Sequence, residues 1–209
     1  HPDFNAILRL CLTRSNVCIF TNGSFINEKK ARFLKKVQDE SPNEIIFKIS
    51  LDHYDELKND EVRYRGAYRQ AVFALKQLQK YGFSPIIAVT NFYEENSNNL
   101  VENFVKALSD SGVEIDKSHI HISPCYQKNK VSEKISTDNI ITDCRNGRVL
   151  SAKGIYSCPF LSDDYRGRCG SSFENYSKKC ALETDFCSTC MNAKSQIFGI
   201  DWNKFERIG

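Results

Sequence analysis

Apolar residues recur at two different spacings along the first 125 positions, and the two spacings alternate. Residues 4–12 (FNAILRLCL) carry them at helical intervals, and residues 16–23 (NVCIFTNG) form a short apolar run closed by a turn signal. Asn27 precedes EKKARFLKKVQ, which predicts a helix capped by the Asn27 side chain. NEIIFKISLD (43–52) reads as the next strand, set off by a Ser-Pro-Asn loop. Residues 67–82 predict an amphipathic helix with Ala71, Leu75 and Leu78 on one face and Gly82 as its stop. SPIIAVTN (84–91) is a strand. Residues 98–112 are a helix with Leu100, Phe104, Val105 and Leu108 along one side and Gly112 at its end, and SHIHISPC (118–125) is the fourth strand.

Four short apolar strands separated by helices specify parallel β/α units with right-handed crossovers. The strands read as too apolar to leave one side in water, so a sheet covered on both faces is expected. A Rossmann-like sheet and a (β/α) barrel both fit this α/β pattern. The chain changes style near residue 126: Lys and Ser dominate QKNKVSEKIS, and cysteines and glycines follow. Residues 1–125 are therefore read as one domain and 126–209 as a second. Within the second, ITDCRNGRVLSAKGIYSCPF reads as two short strands around an Asn146-Gly147 turn.

Composition narrows the function classes. A chain of 209 residues, 41% of them hydrophobic, supports one sizeable core plus a small satellite. With 29 basic and 26 acidic residues and a net charge of +3, charge alone points to neither a nucleic acid nor a membrane. No apolar stretch approaches the roughly 18 residues of a membrane span, and no signal peptide is visible. A soluble, cytoplasmic chain is expected. No P-loop, GxSxG or GxGxxG is present.

The nine cysteines change this picture. In a reducing compartment, clustered cysteines bind metal more often than they form disulfides. Cys144 and Cys158, then Cys187 and Cys190 as CxxC, have the spacing of a four-thiolate shell, which suits zinc or an iron–sulfur cluster. The first pair is spread across the hairpin rather than closed in a knuckle, which argues for the cluster; zinc remains the competitor. Cys169, just after Arg166 and Arg168, and Cys180 read as spare thiols. Cys125 reads as lining a turn, and Cys11 and Cys18 as core. His119 and His121 alternate with isoleucines and are expected to share one face of a strand.

Parallel α/β proteins place ligands at the carboxyl ends of their strands. Those ends read Thr21-Asn22-Gly23, Ser50-Leu51-Asp52, Thr90-Asn91 and Ser123-Pro124-Cys125. Each closes on small hydrogen-bonding groups, which serve either turn capping or a polar site.

Five stretches together resemble the radical S-adenosylmethionine (SAM) enzymes, in the branch with a SPASM or Twitch extension. HPDFNAIL (1–8) resembles the segment after the family's GGEP strand, and VCIFTNGSFI (17–26) its third strand. IIFKISLDHYDE (45–56) is similar to the fourth, with its ISLD signature, and EVRYRGAYRQAVFALKQLQKYG (61–82) to the following R-G segment and helix. Cys144, Cys158-Pro-Phe-Leu and Cys187-x2-Cys190 resemble a Twitch-type auxiliary cluster site.

The resemblance implies part of a (β/α)6 barrel and a small Cys-rich domain holding an auxiliary 4Fe–4S cluster. It implies reductive cleavage of SAM to a 5′-deoxyadenosyl radical, hydrogen abstraction from a peptide or small-molecule substrate, and a reductant such as flavodoxin or ferredoxin. Ser50 matches a serine that hydrogen-bonds SAM. Arg63 matches an arginine that pairs with the SAM carboxylate, with Arg65 as a rival; a bidentate guanidinium suits that partner. Asn22 matches a position lining the SAM pocket. The family's CxxxCxxC loop and GGEP are absent, the chain begins with His1, and its one methionine is Met191. The sequence is thus expected to be a fragment that does not perform radical chemistry by itself. The alternative is a non-catalytic module that binds zinc at the four cysteines and recognises a partner.

Overall fold

The computed structural model describes residues 1–125, 148–162 and 164–177. The chain divides into two compact units, His1–Cys125 and Tyr126–Gly209.

The first unit is a mixed α/β fold. Its elements run α1 (Phe4–Leu12), β1 (Val17–Thr21), α2 (Glu28–Asp39), β2 (Ile45–Ser50), α3 (Glu56–Val62), α4 (Ala67–Lys80), β3 (Ile86–Asn91), α5 (Ser97–Asp110) and β4 (Ile120–Pro124). Asn27 caps α2 as expected, its side chain accepting the Lys30 N–H at 2.9 Å. The seven-residue α3 was not visible in the sequence, because ELKNDEV is polar and offers no apolar stripe. Its start is nevertheless coded: the Asp55 carboxylate accepts the Lys58 N–H at 3.0 Å.

The strands form one parallel sheet in the order β1-β2-β3-β4. Registers pair Phe20 with Lys48, Ser50 with Ala88, Ala88 with His121, and Thr90 with Ser123. Strand alternation then separates two faces. One carries Ile19, Phe47, Ile49, Ile87, Val89 and Ile120, all buried in a core with Leu34 and Val37 of α2, Leu75 and Leu78 of α4, and Leu100, Phe104 and Leu108 of α5. Ala71, Leu75 and Leu78 do share the buried stripe, whereas Val105 is half-buried at the margin.

The opposite face carries Cys18, Phe20, Lys48, Ser50, Ala88, Thr90, His121 and Ser123. Among the described residues, the helices that build this core lie on one side, and on the other face Ile46, Lys48 and Ile86 are also buried. Ile46 and Ile86 supply apolar residues to this second face and hide the alternation in the sequence.

In the second unit β5 (Val149–Ser151), β6 (Gly154–Tyr156) and β7 (Arg168–Gly170) form an antiparallel sheet. The β5–β6 hairpin turns at Ala152-Lys153, where Ser151 pairs with Gly154; the turn expected at Asn146-Gly147 lies outside the described residues. Ile155, Tyr156 and Leu161 are buried here.

Candidate functional site

The polar face of the sheet is graded from its amino to its carboxyl end. Ile46, Lys48 and Ile86 are buried toward the amino ends. Ser50, Ala88, Thr90, His121 and Ser123 are half-buried toward the carboxyl ends. The polar residues closing the four strands divide by face. Thr21, facing the core, accepts the Gly23 N–H through Oγ1 at 3.1 Å, and Asn91 Oδ1 accepts the Glu95 N–H at 3.0 Å. Those groups are spent on turns. On the opposite face, among the described residues, no side-chain hydrogen bond engages the hydroxyl of Ser50, Thr90 or Ser123.

Asp52, two residues beyond Ser50, is buried at 4% exposure and organises the carboxyl end of β2. Its Oδ1 accepts the Thr90 N–H at 2.8 Å, and its own N–H donates to Asn59 Oδ1 at 2.9 Å. Its Oδ2 lies 2.7 Å from Arg63 Nε. The approach is close, yet Arg63 Nε makes no hydrogen bond of good geometry. The contact is an ion pair that leaves a buried donor unsatisfied. Asn59 is fully buried and passes the network on, donating from Nδ2 to Asp60 Oδ1 at 3.3 Å. The Asp60 carboxylate accepts the Gly66 and Tyr68 N–H groups at the start of α4. Burial pushes its pKa up, but the donors from Tyr68, Gly66 and Asn59 outweigh this and hold it below the ordinary value.

A second network fixes the loop after β2 to the loop after β3. His53, 1% exposed, accepts the Asp55 N–H on Nδ1 at 2.9 Å, so its proton lies on Nε2, which donates to Glu95 Oε1 at 2.8 Å. Lys58 Nζ reaches the same oxygen at 3.0 Å. Burial raises the Glu95 pKa, while the His53 and Lys58 hydrogen bonds lower it further, leaving it below the ordinary value. The His53 ring sits 4.3 Å from Tyr54 and 5.3 Å, edge to face, from Tyr93. No signal in the sequence distinguished His53 as a structural histidine; its partner Glu95 is 42 positions away.

The residues singled out from sequence fall as follows. Ser50 ends β2 on the polar face. Arg63 ends α3 and is 21% exposed at its side chain, held on Asp52; Arg65 is exposed. Asn22 is exposed, with Oδ1 accepting the Ser24 N–H at 3.0 Å and Nδ2 reaching Tyr64 Oη at 3.4 Å. It serves the turn after β1 and touches Tyr64, the residue next to Arg63.

Cys144, Cys180, Cys187 and Cys190 lie outside the described residues. Cys158 is half-buried between β6 and a 3-10 turn at Pro159–Leu161, and Cys169 lies in β7 with its Sγ 3.7 Å from the Gly167 carbonyl. Among the described residues, no group of three or more His, Cys, Asp or Glu side chains is placed to hold a metal ion. Cys18 is not in the helix-covered core: it lies on the polar face, where burial pushes its thiol up to about 11 against the smaller opposing effect of Lys48. His119 belongs to a 3-10 turn at Lys117–His119, so strand alternation with His121 does not apply to it.

No protein-family model matches the chain, and no curated protein sequence matches it. Among solved structures the chain is similar to one described as native anSMEcpe with bound AdoMet, at 16% identity and a TM-score of 0.39. That similarity covers 58% of this chain and 30% of the other. Among the described residues, no helix is long and apolar enough to cross a membrane.

Proposed function

We propose that the His1–Cys125 unit is part of a radical SAM (β/α) barrel and that its polar sheet face binds SAM. One observation carries this reading. Ser50, Thr90 and Ser123 present half-buried hydroxyls on the face opposite the helices, at the carboxyl ends of the strands. At the same end of β2, the Arg63 guanidinium lies against the buried Asp52 carboxylate, with Nε 2.7 Å from Oδ2. A sheet with its helices on one side and polar groups on the other suits a barrel wall better than a doubly wound sheet.

In this reading the Ser50 hydroxyl bonds the cofactor, the Arg63 guanidinium receives its carboxylate, and Asn22 shapes the turn beside them. Bound SAM supplies the radical chemistry, while this chain binds and orients it. The whole protein is then an enzyme that abstracts hydrogen from a peptide or small molecule. Cys144, Cys158, Cys187 and Cys190 would hold an auxiliary 4Fe–4S cluster, and a flavodoxin or ferredoxin would supply electrons.

Amide hydrogen exchange with and without SAM tests the reading. SAM is expected to slow exchange at 22–24, 50–53 and 63–66. Absence of protection, or protection confined to the helices on the other side, would overturn it.

A further inference from the structure

We infer that Asp52 is the positioning residue that aims Arg63 at a ligand carboxylate; the inference rests on the SAM-binding reading above. The ISLD stretch places Asp52 two residues after Ser50, so its carboxylate belongs to the same end of the sheet as the Ser50 hydroxyl. An aspartate buried at 4% exposure needs its charge compensated, and two groups do so. The Thr90 N–H fixes Oδ1 at 2.8 Å and ties the carboxylate to β3. Arg63 Nε, 2.7 Å from Oδ2, supplies the counter-charge.

Arg63 arrives from the end of α3, a short helix with no apolar stripe of its own to seat it. The Asp52 backbone N–H helps to seat α3 by donating to the buried Asn59 at 2.9 Å, beside the Lys58–Glu95 and Arg69–Glu56 ion pairs. The same residue thus contacts both the helix carrying the arginine and the arginine's charge. The contact uses Nε of the guanidinium and not its two terminal nitrogens. A guanidinium held by one edge presents the remaining donors in a fixed direction, which is what bidentate capture of a carboxylate requires. The chemical class recognised is a free α-carboxylate, which distinguishes SAM from adenosyl compounds without one.

The test uses the 209-residue chain with SAM and with its decarboxylated analogue, which keeps the adenosyl, sulfonium and amino groups. Asp52→Asn preserves an acceptor for Thr90 and removes the charge. It is expected to weaken SAM binding about tenfold, equivalent to about 1.4 kcal/mol, and to change binding of the analogue less than about twofold. The pair Asp52→Asn with Arg63→Gln should lose no more SAM affinity than Arg63→Gln alone. If circular dichroism shows that Asp52→Asn does not fold, Asp52→Glu, which keeps the charge and displaces it by one methylene, carries the same comparison. Equal losses for SAM and the analogue, or additive losses in the pair, would overturn the positioning role while leaving the SAM site intact. Failure of the unaltered chain to bind SAM would instead overturn the reading on which it rests, and the positioning role with it.

Discussion

Gly23 sits where β1 gives way to the turn beside the candidate site, and its replacement by alanine isolates a packing constraint. Its φ is +81°, a left-handed conformation that costs a residue with a Cβ about 1–2 kcal/mol. A Cβ there would also stand 2.7 Å from the Ala74 Cβ on α4 and 3.5 Å from the Ala71 Cα. Ala74 is fully buried, so relief requires α4 to move from the sheet. Overpacking of this kind costs about 1–3 kcal/mol. Gly23→Ala should therefore destabilise the chain by about 2–5 kcal/mol. Gly82→Ala provides the control: its φ is +79°, but the nearest neighbour of an added Cβ is Lys35 Cε at 3.9 Å. Only the backbone cost of about 1–2 kcal/mol applies there. Urea unfolding followed by far-ultraviolet circular dichroism measures both. Equal losses for the two variants would refute the claim that β1 and α4 approach each other through Gly23.

Three further outcomes follow. The folded Glu95 carboxyl is depressed, so its contribution to stability is fully present above the ordinary value of 4.5 and is lost as pH falls through its lower folded value. Unfolding midpoints measured across that acid range should drop less steeply in Glu95→Gln than in the unaltered chain. With its thiol pushed from 9.0 to about 11, Cys18 should hold about a hundredfold less thiolate at mild alkaline pH than an ordinary thiol, and mass spectrometry should show slow alkylation until urea is added. Anaerobically purified protein should contain iron and acid-labile sulfide, both lost in Cys187→Ser with residues 1–125 still ordered; zinc without sulfide would favour a structural metal domain.

Most of the first unit was legible because its helices and strands carry strong periodic signals and explicit ends. Asn27 announced α2, and the stripe from Ala71 to Leu78 announced α4. What escaped is held by long-range contacts. The polar α3 is seated by Asn59 on Asp52, and His53 is fixed by Glu95; neither leaves a periodic trace. The mixed character of the second sheet face was hidden in the strand pattern. Alternation in IIFKIS is broken by Ile46, so Lys48 looked like an interruption rather than a member of a second, polar face. The Ala152-Lys153 turn escaped because that dipeptide is a weak turn signal, whereas β6 is fixed by its pairing with both β5 and β7. At the candidate site, Ser50 and Arg63 were visible as residue types. The role of Asp52 between them was not, since it depends on the Thr90 backbone 38 positions away.

The most direct test of the SAM-binding claim is equilibrium dialysis of the chain against radiolabelled SAM, with Ser50→Ala alongside. The account predicts saturable binding of one SAM per chain, weakened in Ser50→Ala. No saturable binding, or binding unchanged in that variant, would contradict it.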